Sequence, residues 1–155
     1  MKIQMEFDSS LEEDEILIRC RSLTDDMVVI QKKIADLVNS RMQLEVTKGD
    51  ADYFITMDDI LFFETADGYV AVHTTDNIYE TKSRLYELEE ILPGGFLRVS
   101  KSTIVNSGKI RAIHKNITGA SKIEFANSNK TVFVSRNYFK MLMSKLEERR
   151  IRKCL

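Results

Sequence analysis

The sequence predicts an α+β protein made mostly of short antiparallel strands with a few short helices, preceded by a small β-β-α-β unit. Two observations carry that prediction. Turn signals built on Gly, Asp and Asn recur between short apolar runs from residue 50 to residue 134. Apolar residues fall at helical spacing in only three places.

The 155 residues can bury one sizeable core, or one domain with an appendage, and eight Phe with five Tyr exclude a wholly disordered chain. The net charge of −1 conceals an asymmetry. Residues 1–92 hold 9 Lys and Arg against 21 Asp and Glu, a net of −12, whereas residues 93–155 hold 14 against 3, a net of +11. Such a split points to a basic surface for nucleic acid or an acidic membrane; the bland reading is two solvated faces. The N-terminus shows no apolar run of signal-peptide or membrane-span length, so a cytoplasmic protein is expected. Cys20 and Cys154 have neither CxxC spacing nor a His cluster nearby, which predicts a reduced, metal-free chain, with a regulatory disulfide as the alternative.

KIQMEF at 2–7 alternates and EILIRC at 15–20 forms an apolar run, so both read as strands. From Thr24, a cap followed by Asp25 and Asp26, the residues Met27, Ile30, Ile34, Leu37 and Val38 predict an amphipathic helix ending near 39–41. QLEVTK at 43–48 reads as a strand, and Gly49-Asp50 closes this first unit. Strands then follow at 53–56, 60–65, 69–74 and 78–81, with Asp67-Gly68 predicting a tight primed hairpin turn. Leu85, Leu88, Ile91 and Leu92 share one helical face that stops at Pro93-Gly94-Gly95. Strands at 96–100 and 109–117 come next, then a hairpin of KIEFAN and KTVFV around Asn127 to Asn129. Ser135 caps a last helix that buries Tyr138, Met141, Leu142 and Leu146 and exposes a basic side.

Catalytic groups do not converge. His73 and His114 lack a Cys, Asp or Glu at ligand or triad spacing in their own segments, and no G-x-S-x-G, GxGxxG or P-loop occurs. The expectation is a protein without enzymatic activity or cofactor. Basic residues between short strands suit nucleic acid better, because side chains on a β scaffold can read a duplex. Lys101 interrupts FLRVSKSTIVNSGKI, and Arg136 opens the last helix, where Ser135, Arg136 and Asn137 form either an anion or base-edge site or a plain N-cap with an exposed arginine.

The ordered set D-I-L-F-F-E, F-L-R-V-S-K-S-T-I-V-N and V-S-R-N-Y resembles the LytTR DNA-binding domain of bacterial transcription regulators. The resemblance spans roughly residues 50–149. It implies an elongated, mostly antiparallel β domain whose edge loops enter DNA grooves and bend the duplex. Carried onto this chain, the contacts are the loop Asp67, Gly68 and Tyr69, then Lys101, then Arg136; the first loop lacks the basic or His residue of some relatives. Ser100, Ser102, Asn137, Lys82 and Arg84 are the secondary phosphate candidates.

The chain is similar to stand-alone LytTR regulators, because residues 1–48 are too short for a receiver domain. The resemblance implies double-stranded promoter DNA as the partner, a homodimer, and a small membrane protein as inhibitor. Residues 1–48 are then a dimerisation or regulatory extension, or else a packing cap, and 150–155 a basic tail. The competing reading is an interaction adaptor whose basic half binds an acidic protein.

Overall fold

The computed structural model describes residues 4–11, 15–40 and 42–150. Helix α1 (Asp25–Ser40) leads into β1 (Gln43–Lys48), β2 (Ala51–Thr56), β3 (Ile60–Ala66), β4 (Tyr69–Thr74) and β5 (Ile78–Thr81). Helix α2 (Leu85–Ile91), the hairpin β6 (Phe96–Ser100) and β7 (Thr103–Asn106), then β8 (Ile110–His114), β9 (Ser121–Phe125), β10 (Thr131–Val134) and α3 (Arg136–Arg150) complete the order. Among the described residues every ladder is antiparallel. They form a seven-stranded sheet in the order β2-β1-β5-β4-β3-β7-β6 and a three-stranded sheet in the order β10-β9-β8. The α+β, mostly antiparallel class expected from the sequence is the class observed.

The β-β-α-β arrangement at the N-terminus is corrected. Residues 15–20 carry no strand, nor do 4–7; residues 2 and 3 lie outside the described residues. An apolar run becomes a strand only where a sheet edge offers it ladder bonds. The next strand, β1, has both edges taken, by β2 on one side and β5 on the other. Ile16 and Leu17 accordingly stand exposed. Helix α1 forms as expected, with Thr24 Oγ1 accepting the Met27 N–H at 3.4 Å, but it buries little: Leu37 and Val38 are exposed.

Gly49-Asp50 is the turn of the β1–β2 hairpin, in which Lys48 faces Ala51 and Gly49 has φ +62°. Glycine at the first central position suits a two-residue hairpin of type II′. The β3–β4 turn departs from the primed type expected. Gly68 has φ +81° while Asp67 lies outside the positive region, so only the second central residue is left-handed, as in a type II turn.

Two cores flank the long sheet, and β3 serves both. Ile60 and Phe63 pack with Leu44, Val46, Val72 and the α2 residues Leu85 and Leu88 on one face. Leu61 and Phe62 pack with Val105, Ile123, Phe125 and the α3 residue Leu142 on the other. Strict alternation would not send neighbours 61 and 62 the same way. The ladder with β4 slips between Ile60 and Phe62, and this bulge inserts Leu61 as the extra residue, so all of ILFF is buried. In α3, Tyr138, Phe139 and Leu146 pack beside Leu142, whereas Met141, expected to be buried, is exposed. Positions 138, 142 and 146 recur every four residues, and Phe139 widens that stripe on the side away from Met141.

Candidate nucleic-acid interface

The polar break in FLRVSKSTIVNSGKI is a hairpin turn. β6 pairs with β7, a four-residue strand missed in the sequence, and Lys101 and Ser102 make the connection. Ser100 Oγ accepts the Ser102 N–H at 3.2 Å, which ties down the corner. Arg98 holds it from beneath: Nε donates to Ser100 O at 2.9 Å, a terminal nitrogen donates to Lys101 O, and the other pairs with Glu89 of α2 at 2.8 Å. Lys101 is left exposed at the tip, its ammonium unpaired among the described residues. Thr65 N–H donates to Ser102 O at 2.9 Å, so the turn is also fastened to β3.

The start of α3 is docked onto the same hairpin. The β6–β7 register slips between Arg98 and Ser100, which makes Val99 a bulged residue. Its carbonyl accepts the Ser135 N–H at 2.9 Å instead of a cross-strand donor. Arg136 follows that joint by one residue and Lys101 follows it by two.

The ladder registers gather the remaining candidates at this end of the long sheet. Ala66 faces Tyr69, so the Asp67-Gly68 turn projects here. Val70 faces Thr81, so Lys82 and Arg84 leave β5 here, and Glu64 faces Thr103, which aligns the two hairpin tips. Val134 faces Ser121, which brings the loop at 115–120 beside Arg136. Lys82, Lys101, Lys115 and Arg136 are all exposed and make no ion pair among the described residues.

The opposite end carries Asp50, Asp58, Asp59 and Asp76 in the turns that cap the same strands. Cations there are engaged. Lys109 pairs with Asp58 at 3.4 Å, Lys48 Nζ donates to Asn77 Oδ1 at 2.7 Å, and Lys130 Nζ donates to Thr74 O and Asn77 O at 2.7 and 3.0 Å. Burial holds the Lys130 ammonium below its ordinary pKa, partly offset by Asp76. One end of the sheet is therefore rich in free cations and the other in carboxylates. That is the field a polyanion would read.

Several polar residues of the motif region are structural. Asn106 Nδ2 donates to Ile60 O at 2.9 Å in the core, and Ser107 Oγ donates to Gly95 O at 2.7 Å. Ser100 spends its hydroxyl on the turn, whereas Ser102 and Asn137 stay exposed. Asp67 is an exposed carboxylate, which repels phosphate and can only accept from a base edge. His73 stacks on Phe62 with ring centroids 4.1 Å apart, and burial, helped by Lys130, pushes its pKa down to about 4. His114 pairs with Glu124 at 3.0 Å, and Arg111 leads the hydrogen bonds that lower the Glu124 pKa. Cys20 is a free, exposed thiol, and Cys154 lies outside the described residues, as does all of the tail beyond 150. Sequence reading missed Arg98 as a positioning residue; its only signal was a cation in a strand ahead of the polar break.

This fold and this end define a class: a β scaffold whose loops and one helix start, rather than a helix-turn-helix pair, carry the exposed cations among the described residues. The family model of the LytTr DNA-binding domain matches residues 50–147, and the chain belongs to that family. A solved LytTr DNA-binding domain from Bacillus cereus superposes with a TM-score of 0.61 at 24% identity, over 66% of this chain and 96% of that one. Two relatives, both titled uncharacterized HTH-type transcriptional regulators, come from Staphylococcus aureus strains NCTC 8325 and COL. Each is 27% identical over 94% of this chain and 98% of its own length. In this chain strands separate α1, α2 and α3, so no helix-turn-helix pair occurs among the described residues.

Proposed function

We propose that this chain is a sequence-specific DNA-binding transcription regulator, acting in the cytoplasm, that engages promoter duplex through the cation-rich end of its long sheet. One observation carries this reading: four separate connections each present an unpaired cation at that end, where they outnumber the exposed Glu64 and Asp67, while Asp50, Asp58, Asp59 and Asp76 cap the far end. Unpaired like charges repel one another, and a phosphate backbone relieves that repulsion with release of counterions. Lys101 and Arg136 are the groove-entering side chains. Asn137, Ser102, Lys82 and Arg84 contact phosphate, and the Asp67 to Tyr69 turn forms the third approach. Membership in a DNA-binding family and the naming of the staphylococcal relatives as transcriptional regulators support the reading.

The N-terminal part serves dimerisation or restraint by a small membrane protein. The exposed Phe7, Ile16, Leu17 and Leu23 favour an interaction role over a packing cap, since a cap would bury them. A deletion that tests this role must stop short of Gln43, because β1 is an interior strand of the sheet.

Titration of a promoter duplex across a range of salt checks the main reading. Binding must weaken as salt rises, with a log–log slope of about −0.9 per phosphate neutralised. Salt-independent binding, or tighter binding to an acidic peptide than to DNA, would favour the adaptor reading instead.

A further inference from the structure

We propose that the loop between β8 and β9 is an additional DNA contact, forming with the start of α3 a cleft that seats a stretch of sugar–phosphate backbone. The proposal rests on the DNA-binding reading above, which counts Lys115 only as one of its free cations, and gives that loop a site of its own. The cleft, about 300 Å³, is lined by Lys115, Asn116, Ile117, Gly119, Arg136 and Phe139, with Ser121 at its base. Two cations and two apolar side chains line it, and no carboxylate does.

The loop is built to hold a shape. Asn116 Oδ1 accepts both the Thr118 N–H and the Thr118 hydroxyl at 3.1 Å, and the buried Ser121 Oγ accepts the Asn116 N–H at 3.2 Å. Gly119 fits tightly against this corner, since a Cβ there would stand 3.2 Å from Asn116 Nδ2. What the corner displays is Ile117, 94% exposed, the most exposed of the large apolar side chains described. A fixed turn that holds an isoleucine in water between Lys115 and Arg136 suits a partner whose surface alternates anion and hydrocarbon. A nucleic-acid backbone does so, with phosphates joined by deoxyribose. Lys115 and Arg136 take the phosphate, and Ile117 and Phe139 lie against the sugar. Continuity favours DNA over an acidic protein, because Arg136 belongs both to this cleft and to the end that presents Lys101.

The test uses the full chain and a duplex that it selects from a random-sequence pool, with affinity read by fluorescence anisotropy at several KCl concentrations. Lys115→Gln is expected to flatten the log–log salt slope by about 0.9, the share of one phosphate. Ile117→Ser is expected to weaken binding several-fold with the slope unchanged, and its exposure means that the fold is not at stake. Gly119→Ala, which presses on the corner, should move affinity in the same direction as Ile117→Ser. Parental affinity and slope in all three, beside a large loss in Arg136→Gln, would overturn the cleft and leave the DNA-binding reading standing. Parental binding by Arg136→Gln and Lys101→Gln together would instead remove the reading on which the cleft rests. Capture of a polyglutamate peptide through Lys115 in preference to the duplex would overturn the cleft as a DNA site.

Discussion

Lowering the pH from 8 to 4 should destabilise this fold through His73. The ring is pressed against Phe62, its side chain is 13% exposed, and Nδ1 is buried without a hydrogen-bond partner among the described residues. Burial first, and the Lys130 charge second, bring its pKa from 6.5 to about 4. The unfolded chain therefore takes up a proton near pH 6.5 that the folded chain refuses until about pH 4. Above pH 6.5 both states are neutral and nothing is lost. Between the two values stability falls with pH, and below about 4 the loss reaches its full size. The whole shift corresponds to roughly 3 kcal/mol; because water reaches part of the ring, about 2 kcal/mol is the expected loss. Urea unfolding at pH 8, 6.5, 5 and 4, run in parallel on the parent and on His73→Leu, isolates this term, since every carboxylate except Glu64, 3.7 Å from His73 Nε2, keeps its surroundings in both. The difference in stability between the two proteins should change by about that amount across the window. A difference that stays constant from pH 8 to 4 would refute the reasoning. Lys130→Met should shrink the window modestly, because its charge is the smaller of the two causes.

Arg136→Ala should lose about 1 to 3 kcal/mol of DNA binding and relax preference at one base position, as competition between mutated duplexes would reveal. Arg98→Ala keeps Lys101 in the sequence but unfastens its turn. Reduced DNA affinity, together with altered backbone resonances at 100–102, is the expected outcome, and a parental spectrum would count against the positioning role. Leu142→Ala empties a site in the core between the sheets, where the side chain is 1% exposed. A loss of about 2 to 5 kcal/mol in urea unfolding is expected, with Met141→Ala, on the exposed face, nearly neutral.

Local patterns proved reliable where a segment's neighbours in the chain were also its neighbours in space. The hairpins β3–β4 and β9–β10, the Thr24 cap and the Leu85 and Leu88 part of the α2 stripe all rest on contacts a few residues apart, and they appear where the pattern puts them, although Ile91 of that stripe is exposed. The errors share the opposite character. Residues 15–20 have strand composition, yet whether they pair depends on which sheet edge is free, and β1 has none. The strand β7 was hidden because TIVN is four residues long and is defined by pairing with both β3 and β6. Arg98 looked like one more strand cation, and its work on the turn shows only when Glu89 from α2 is seen against it.

By itself the sequence determined the antiparallel α+β class, the ordered motifs of the family, the charge split and the identity of Lys101 and Arg136 as residues to watch. The motifs rest on resemblance to the family and the others on composition and spacing, all of which are written along the chain. Tertiary structure alone decided that cations of distant connections are presented at one end, because strand register brings Thr81, Ala66 and Thr103 within two residues of one another across the sheet. It also decided that the Val99 bulge frees the carbonyl on which the last helix docks. Register and bulges arise from pairing between segments far apart in sequence, and each such pairing is selected by the packing of two cores at once, a condition that no single stretch of residues contains.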